Sequence, residues 1–222
     1  RRLLTKTIEA NEAGYDGKPM FAPDHPIYVR RGGMDENKWV EASTQRNVIT
    51  LKLEPTYECA KHIADLVEPH MSMMKVDNGR VANVAPNLML VPMTLKGTAN
   101  ELMNSQQLLD SAGNLRGNPV QGMFSVVAER TLSDQDSWYL FDANNPVLFP
   151  YIYQLRQGVN FDGFDAGAVA DYHAFMNKEF VFGADARYNV GNGLYQAALK
   201  SDGSTVAGSV DTTIYDLSAD VA

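Results

Sequence analysis

The run Asn87-Leu88-Met89-Leu90-Val91-Pro92-Met93-Thr94, continued by residues 95–106, decides the reading of this chain. Residues 88–91 are wholly apolar, too few for a helix and without polar alternation. Such a run reads as a strand covered on both faces. Pro92 lacks an N–H to donate to a ladder and stops the strand. Thr94 is the expected N-cap of a helix whose inward face is Leu95, Ala99, Leu102 and Met103. The predicted unit is a central strand feeding a helix that packs back beside it, and nothing in it is chemically reactive.

Working outward, Pro55 suits the first turn of a helix. Ala60, Ile63, Ala64, Val67, Met71 and Met74 then recur at helical spacing, with a kink or break expected near Glu68 because Pro69 sits inside the pattern. Residues 48–53 alternate and predict a strand. Residues 1–13 predict a short helix with Leu4 and Ile8 on its apolar side, ended by Gly14. Residues 14–33 hold four glycines and three prolines and read as ordered loop, pinned by Tyr15, Phe21 and Tyr28. Beyond the central unit, residues 105–122 predict an exposed polar excursion. Residues 123–128 and 138–141 predict two strands joined by a tip at 133–136. Residues 146–155 are β-prone, 160–171 are Gly/Asp loop, 175–190 predict a long strand, and 201 onward is a small, polar tail. The mixture is α+β.

Composition narrows the function classes. Hydrophobic residues make up 45% and charged residues 21% of 222, as in a globular domain. No apolar run approaches the roughly 20 residues that span a bilayer. The net charge is −8 and no Lys/Arg cluster stands out, which argues against sequence-specific nucleic-acid binding. Cys59 is the only cysteine, so no intrachain disulfide forms.

Asp24-His25-Pro26 offers half of an acid/base pair, without a visible nucleophile or orienting group. The simpler reading is a loop whose side chains bond local backbone. His62 and His70 lie eight apart on one helix, too far to ligate one metal alone, and read as exposed. Gly14-Tyr15-Asp16-Gly17-Lys18 has the wrong spacer for a phosphate loop, and Gly191-Asn192-Gly193 lacks the third glycine of a dinucleotide fingerprint. No catalytic, cofactor or metal residues are assigned.

Four segments resemble one family. They are Tyr15-Asp16-Gly17 with Phe21 and Asp24-His25-Pro26; residues 86–102; Trp138-Tyr139-Leu140-Phe141; and Phe175-Met176-Asn177-Lys178-Glu179-Phe180-Val181-Phe182-Gly183-Ala184. Together they resemble the major head subunits of Mu-like phages, the gpT family. The resemblance implies the Hong Kong 97 capsid fold, with an axial and a peripheral domain. Residues 1–50 would be the first peripheral part, with the end of the spine helix. Residues 51–144 would be the axial domain, 145–200 the peripheral sheet and 201–222 a C-terminal tail. The N-terminal arm, the extended loop and most of the spine helix would be missing. The implied function is a structural shell protein of the virion, assembled in the bacterial host cytoplasm. Its partners would be copies of itself in pentamers and hexamers, with portal, scaffold and decoration proteins as further candidates. Asp110, Asn114, Arg116, Asn118, Asp134 and Asp136 are the expected subunit-interface residues. Readings from other classes are a small hydrolase using Asp24 and His25, and a monomeric binding module using the aromatic loop 14–28.

The stripe Ala60, Ile63, Ala64 and Val67 should share a core with residues 88–91. Ile63→Ala then costs about 2–5 kcal/mol in chemical denaturation. A loss below about half a kcal/mol would place the stripe on the surface.

Overall fold

The computed structural model describes residues 2–30, 39–163 and 182–215. Two compact units emerge: one made of residues 1–151 with 192–222, the other of residues 152–191.

The larger unit is built on a five-stranded mixed sheet. Its strands are β3 (Val48–Leu51), β4 (Leu88–Pro92), β7 (Ser125–Glu129), β8 (Trp138–Phe141) and β11 (Ala198–Thr205), in the order β3-β11-β8-β4-β7. β3 lies parallel to β11, β8 runs antiparallel to both β11 and β4, and β7 runs parallel to β4. The middle strand is therefore β8, not residues 88–91, and all four of its residues are buried. Trp138 and Leu140 enter one core, while Tyr139 and Phe141 enter the other. β4 sits one place outward: Met89 and Val91 are fully buried, but Leu88 and Leu90 are only half-buried. The expected tip joining β7 to β8 does not make them neighbours, because β4 lies between them.

The first core joins the sheet to the helices. Alpha-helix α2 (Tyr57–His62) is capped by Thr56, whose side chain accepts from the Cys59 N–H. It runs into a π-helical turn, Ile63–Val67, and then α3 (Glu68–Ser72). Pro69 is the cause of this irregularity. It lacks an N–H and crowds the preceding turn, and the chain widens so that the Glu68 N–H reaches Ile63 O, five residues back. Ile63, Val67, Met71 and Met74 stay fully buried with Met89, Val91 and Leu140. Helix α4 (Lys96–Asn104) buries Ala99, Leu102 and Met103. Thr94 is not its N-cap. A 3₁₀ turn, Met93–Leu95, intervenes, and the Thr94 hydroxyl donates to Gln135 O at 2.9 Å.

The second core lies under helix α1 (Arg2–Ala10), with Ile8, Met20, Phe21 and Leu132. This helix stops earlier than Gly14. Asn11 takes a positive φ of 46°, and its side-chain amide exchanges two hydrogen bonds with the backbone of Phe21. Leu4 faces outward, 39% exposed, while Thr5 and Thr7 are buried. Two further departures concern strands. The expected loop 14–33 contains β1 (His25–Arg30), paired antiparallel with β2 (Trp39–Gln45). The polar tail is part of the sheet through Thr205, because Ser201 is buried and its hydroxyl donates to Leu51 O at 2.6 Å. The excursion 105–122 forms a hairpin of β5 (Gln107–Leu109) and β6 (Leu115–Gly117), pinned by buried Leu108 and Val120.

The smaller unit is a ribbon of two paired strands, β9 (Tyr151–Gly163) and β10 (Phe182–Asn192). The first part of the expected strand 175–190 and the loop residues 164–171 lie outside the described residues.

His62 and His70 are buried, not exposed. Both rings meet Tyr215, with centroids 5.2 and 5.4 Å away. His62 Nε2 lies 2.9 Å from the Tyr215 hydroxyl, and His70 Nε2 donates to Arg46 O at 2.9 Å. Burial lowers both histidine pKa values, and hydrogen bonding only partly offsets this. The unfolded chain therefore takes up protons first. Stability should be constant well above about pH 6.5, the ordinary histidine value, and fall as pH drops through it. The urea midpoint should drop between neutral and mildly acidic pH. The drop should be smaller in His62→Gln/His70→Gln, and an equal drop in that variant would remove these histidines as its cause.

Candidate interaction surfaces

His25 has no exposed surface. Its partner is not Asp24, which pairs at the surface with Lys18. His25 Nδ1 lies 2.6 Å from Asp16 Oδ2, and Nε2 lies 3.2 Å from Asn47 Oδ1. The ring stacks on Tyr195 at 3.7 Å between centroids, nearly parallel. The orientation of Asn47 follows from its neighbours. Nδ2 faces the carbonyls of Met20, Tyr195 and Ala198 at 2.8, 3.3 and 3.1 Å, and Oδ1 accepts from the Ala22 N–H at 3.0 Å. Oδ1 is thus an acceptor, so His25 Nε2 donates to it, and one proton bridges Nδ1 and Asp16. The third group is an amide, not a nucleophile, and the imidazole is closed to solvent. This geometry fastens the chain and does not support hydrolysis by Asp24 and His25. His25 bonds side chains nine and 22 residues away, not the local backbone of the loop reading.

The expected interface residues fall in two places. Asp110 sits at the turn of the β5–β6 hairpin and accepts from the N–H groups of Ala112 and Asn114 and from Arg116 Nε. The Asn114 N–H, followed by the Arg116 and Asn114 side chains, holds its carboxyl below the usual range despite some desolvation. Asn118 turns inward. Its Nδ2 donates to Leu102 O and Ser105 O, satisfying carbonyls at the end of α4, and its Oδ1 accepts from the Val120 N–H. Asn114 and Arg116 remain exposed. Asp134 accepts from the N–H groups of Asp136 and Ser137 and from the Ser137 hydroxyl. Partial burial pushes its carboxyl up, and those bonds together outweigh this and lower it. Asp136 is exposed.

The structure adds apolar surface that the search for polar contacts missed. Leu109 and Leu115 are a cross-strand pair on the hairpin, 54% and 64% exposed. In sequence they flank a turn signal, Asp110 to Asn114, and only their pairing reveals one patch. A groove of about 360 Å³ lies beside β4, lined by Leu4, Ile8, Leu88, Leu90, Val127 and Phe149 among others. The carboxylates along it are engaged: Asp142 accepts from the Ala85, Asn144 and Asn145 N–H groups, and Glu129 from those of Arg130 and Thr131. Cys59 is buried, and burial pushes its thiol up to about 11, away from nucleophilic use. Among the described residues no three His, Cys, Asp or Glu side chains cluster as a metal site. These surfaces suit contact rather than chemistry.

Asn47→Ala should strip partners from Ala22, His25 and three carbonyls at once. Each buried group left unpaired costs about 1–3 kcal/mol, so thermal denaturation should show a loss of several such increments. Asp24→Ala, at the solvated pair with Lys18, should leave the midpoint unchanged. Equal effects would mean that the Asn47 cluster is not what holds the loop.

Residues 58–132 and 117–219 match the model of the Mu-like prophage major head subunit gpT. Over 130 residues the chain is 30% identical to the major capsid protein of Escherichia phage Mu, covering 56% of this chain and 41% of that one. A chain in the procapsid of bacteriophage JBD30 superposes with a TM-score of 0.40 at 19% identity, covering 90% of this chain and 38% of that one. The chain thus spans about two fifths of the length of these relatives. With the family model matching well over half of its residues, the chain belongs to the Mu-like prophage major head subunit gpT family.

Proposed function

We propose that this chain is part of a phage head subunit that encloses DNA by packing many identical copies into an icosahedral shell. The family match carries the reading, since it runs from α2 through β4, α4 and the hairpin to β11. The role is structural and non-enzymatic. The finer assignment is the Hong Kong 97 fold, with residues 51–144 as the axial domain and residues 1–50 and 145–200 as the peripheral one. Pentamers and hexamers of the subunit are the assembling species, and portal, scaffold and decoration proteins are further partners. Assembly takes place in the host cytoplasm. Each contact between copies is weak, and closure of the shell multiplies it.

Within that frame the β5–β6 hairpin lies at the axis where copies meet. Asn114, Arg116 and Asp136 supply polar contacts that set register more than affinity. Leu109 and Leu115 supply the apolar centre, and Asp110, Asn118 and Asp134 hold the turns in shape. Leu109→Asn/Leu115→Asn should leave thermal unfolding of this chain unchanged, since both side chains are solvent-exposed. The same change in the shell-forming head subunit should reduce the count of regular shells seen by electron microscopy. Normal shells would remove the hairpin from the axis.

A further inference from the structure

Residues 206–215 leave the end of β11 and form two short 3₁₀ turns, Ala207–Ser209 and Thr212–Tyr215. The segment closes the rim of the first core. Val210 and Tyr215 are the most exposed of that core's buried members, at 8 and 9%, whereas Cys59, Ile63, Val67 and Met71 have no exposure. Its polar ties run to two buried imidazoles. The Tyr215 hydroxyl lies 2.9 Å from His62 Nε2, and the Tyr215 ring meets both His62 and His70 edge-on. The backbones of Ala207 and Tyr215 lean on the same two rings. Ser209 and Thr213 bond within the segment, the Ser209 N–H to Val206 O and the Thr213 N–H and hydroxyl to Asp211.

Neither ring is prepared for charge. His70 Nε2 donates to Arg46 O, which leaves Nδ1 as an acceptor, and Nδ1 is buried without a hydrogen-bond partner. A proton there meets burial first and then the Arg46 guanidinium, and the Arg46 and Tyr215 backbones only partly offset them. In a charged His62 both ring nitrogens are donors, so the Tyr215 hydroxyl can only accept from Nε2. The titratable groups facing the pair are Arg46, whose charge also reaches Asp211, the Tyr215 hydroxyl, and Cys59, which is near enough to act on that hydroxyl. Among the described residues the histidine paired with a carboxylate is His25, not these two.

We propose that residues 206–215 are a strap that leaves α2 and the π-turn in mild acid, when His62 and His70 take up protons that the docked segment keeps from water. The strap goes beyond the head-subunit reading and stands without it. Docked, both rings are held neutral; released, both meet water and titrate near the ordinary value of about 6.5. Docking is therefore at full strength above that value and weakens as pH falls through it. At pH 5.5 each released histidine favours opening about tenfold, and the two together about a hundredfold. A segment fixed at the core rim by two side chains can open by itself, whereas β8, in the middle of the sheet, opens with the whole fold.

The experiment is hydrogen exchange of the full 222-residue chain at pH 7.5 and 5.5, each amide corrected for its intrinsic rate. The Ser209 and Tyr215 amides report the strap, and those of β8 report global unfolding. The strap's opening constant should exceed that of β8 at both pH values and rise between about tenfold and a hundredfold on acidification. In His62→Gln/His70→Gln it should not change with pH, while His25 is left as it was. Should that double variant not fold, His62→Gln and His70→Gln singly should each remove one histidine's share, about tenfold at most. A strap constant that does not move with pH overturns the proposal. So does one equal to that of β8 at both pH values, since the segment would then leave only with the whole fold. A full response in the variants that fold overturns it too, because the protons would be taken up elsewhere.

Discussion

One carboxamide holds the larger unit together. Asn47 precedes β3, and its side chain meets Met20, Ala22, His25, Tyr195 and Ala198, contributed by segments nearly the whole chain apart. Its backbone joins the same net: its N–H donates to Ala22 O, and its carbonyl accepts from the Lys200 N–H. No apolar side chain could replace it, because three carbonyls and two N–H donors would lose their partners inside the protein. The loop 14–25 buries Met20 and Phe21 in the second core. Its polar groups are fixed because Asn47, Asp16 and His25 satisfy one another, and because Tyr15 and His25 stack with Tyr195.

The same logic of tying distant segments recurs at the sheet. Leu51 O accepts from both Trp138 Nε1 and the Ser201 hydroxyl, so one carbonyl joins β3, β8 and β11. Two glycines make the close approaches possible. A Cβ on Gly193 would fall 2.0 Å from Phe149 O. One on Gly203, where φ is +70°, would fall 2.3 Å from Asp136 O. Among the described residues, exposed apolar side chains line the groove beside β4, the Leu109–Leu115 patch and the ribbon.

Much of this was legible from residue order. The stripe Ile63, Val67, Met71 and Met74 and the run at 88–91 announced their burial through period and composition, which depend on near neighbours. Pro69 announced a break, although widening into a π-turn rather than a sharp kink was decided by the packing around it. The Tyr-Asp-Gly and Asp-His-Pro segments marked the loop that proved to be fastened.

What residue order left undecided has one physical cause: it depends on partners far along the chain. Whether His62 and His70 are exposed is settled by Tyr215, about 150 residues away. Ser201 looks like the start of a polar tail until Leu51 O takes its hydroxyl. The middle place in the sheet went to β8 because β4 and β11 both pair with it, and no local pattern encodes that order. Sequence alone marked the strands β3, β4, β7 and β8, the main helices and the family. Only the tertiary structure decided which polar side chains are consumed inside and which apolar ones are left exposed. Local periodicity reports one strand or helix at a time, whereas burial is a property of the whole chain.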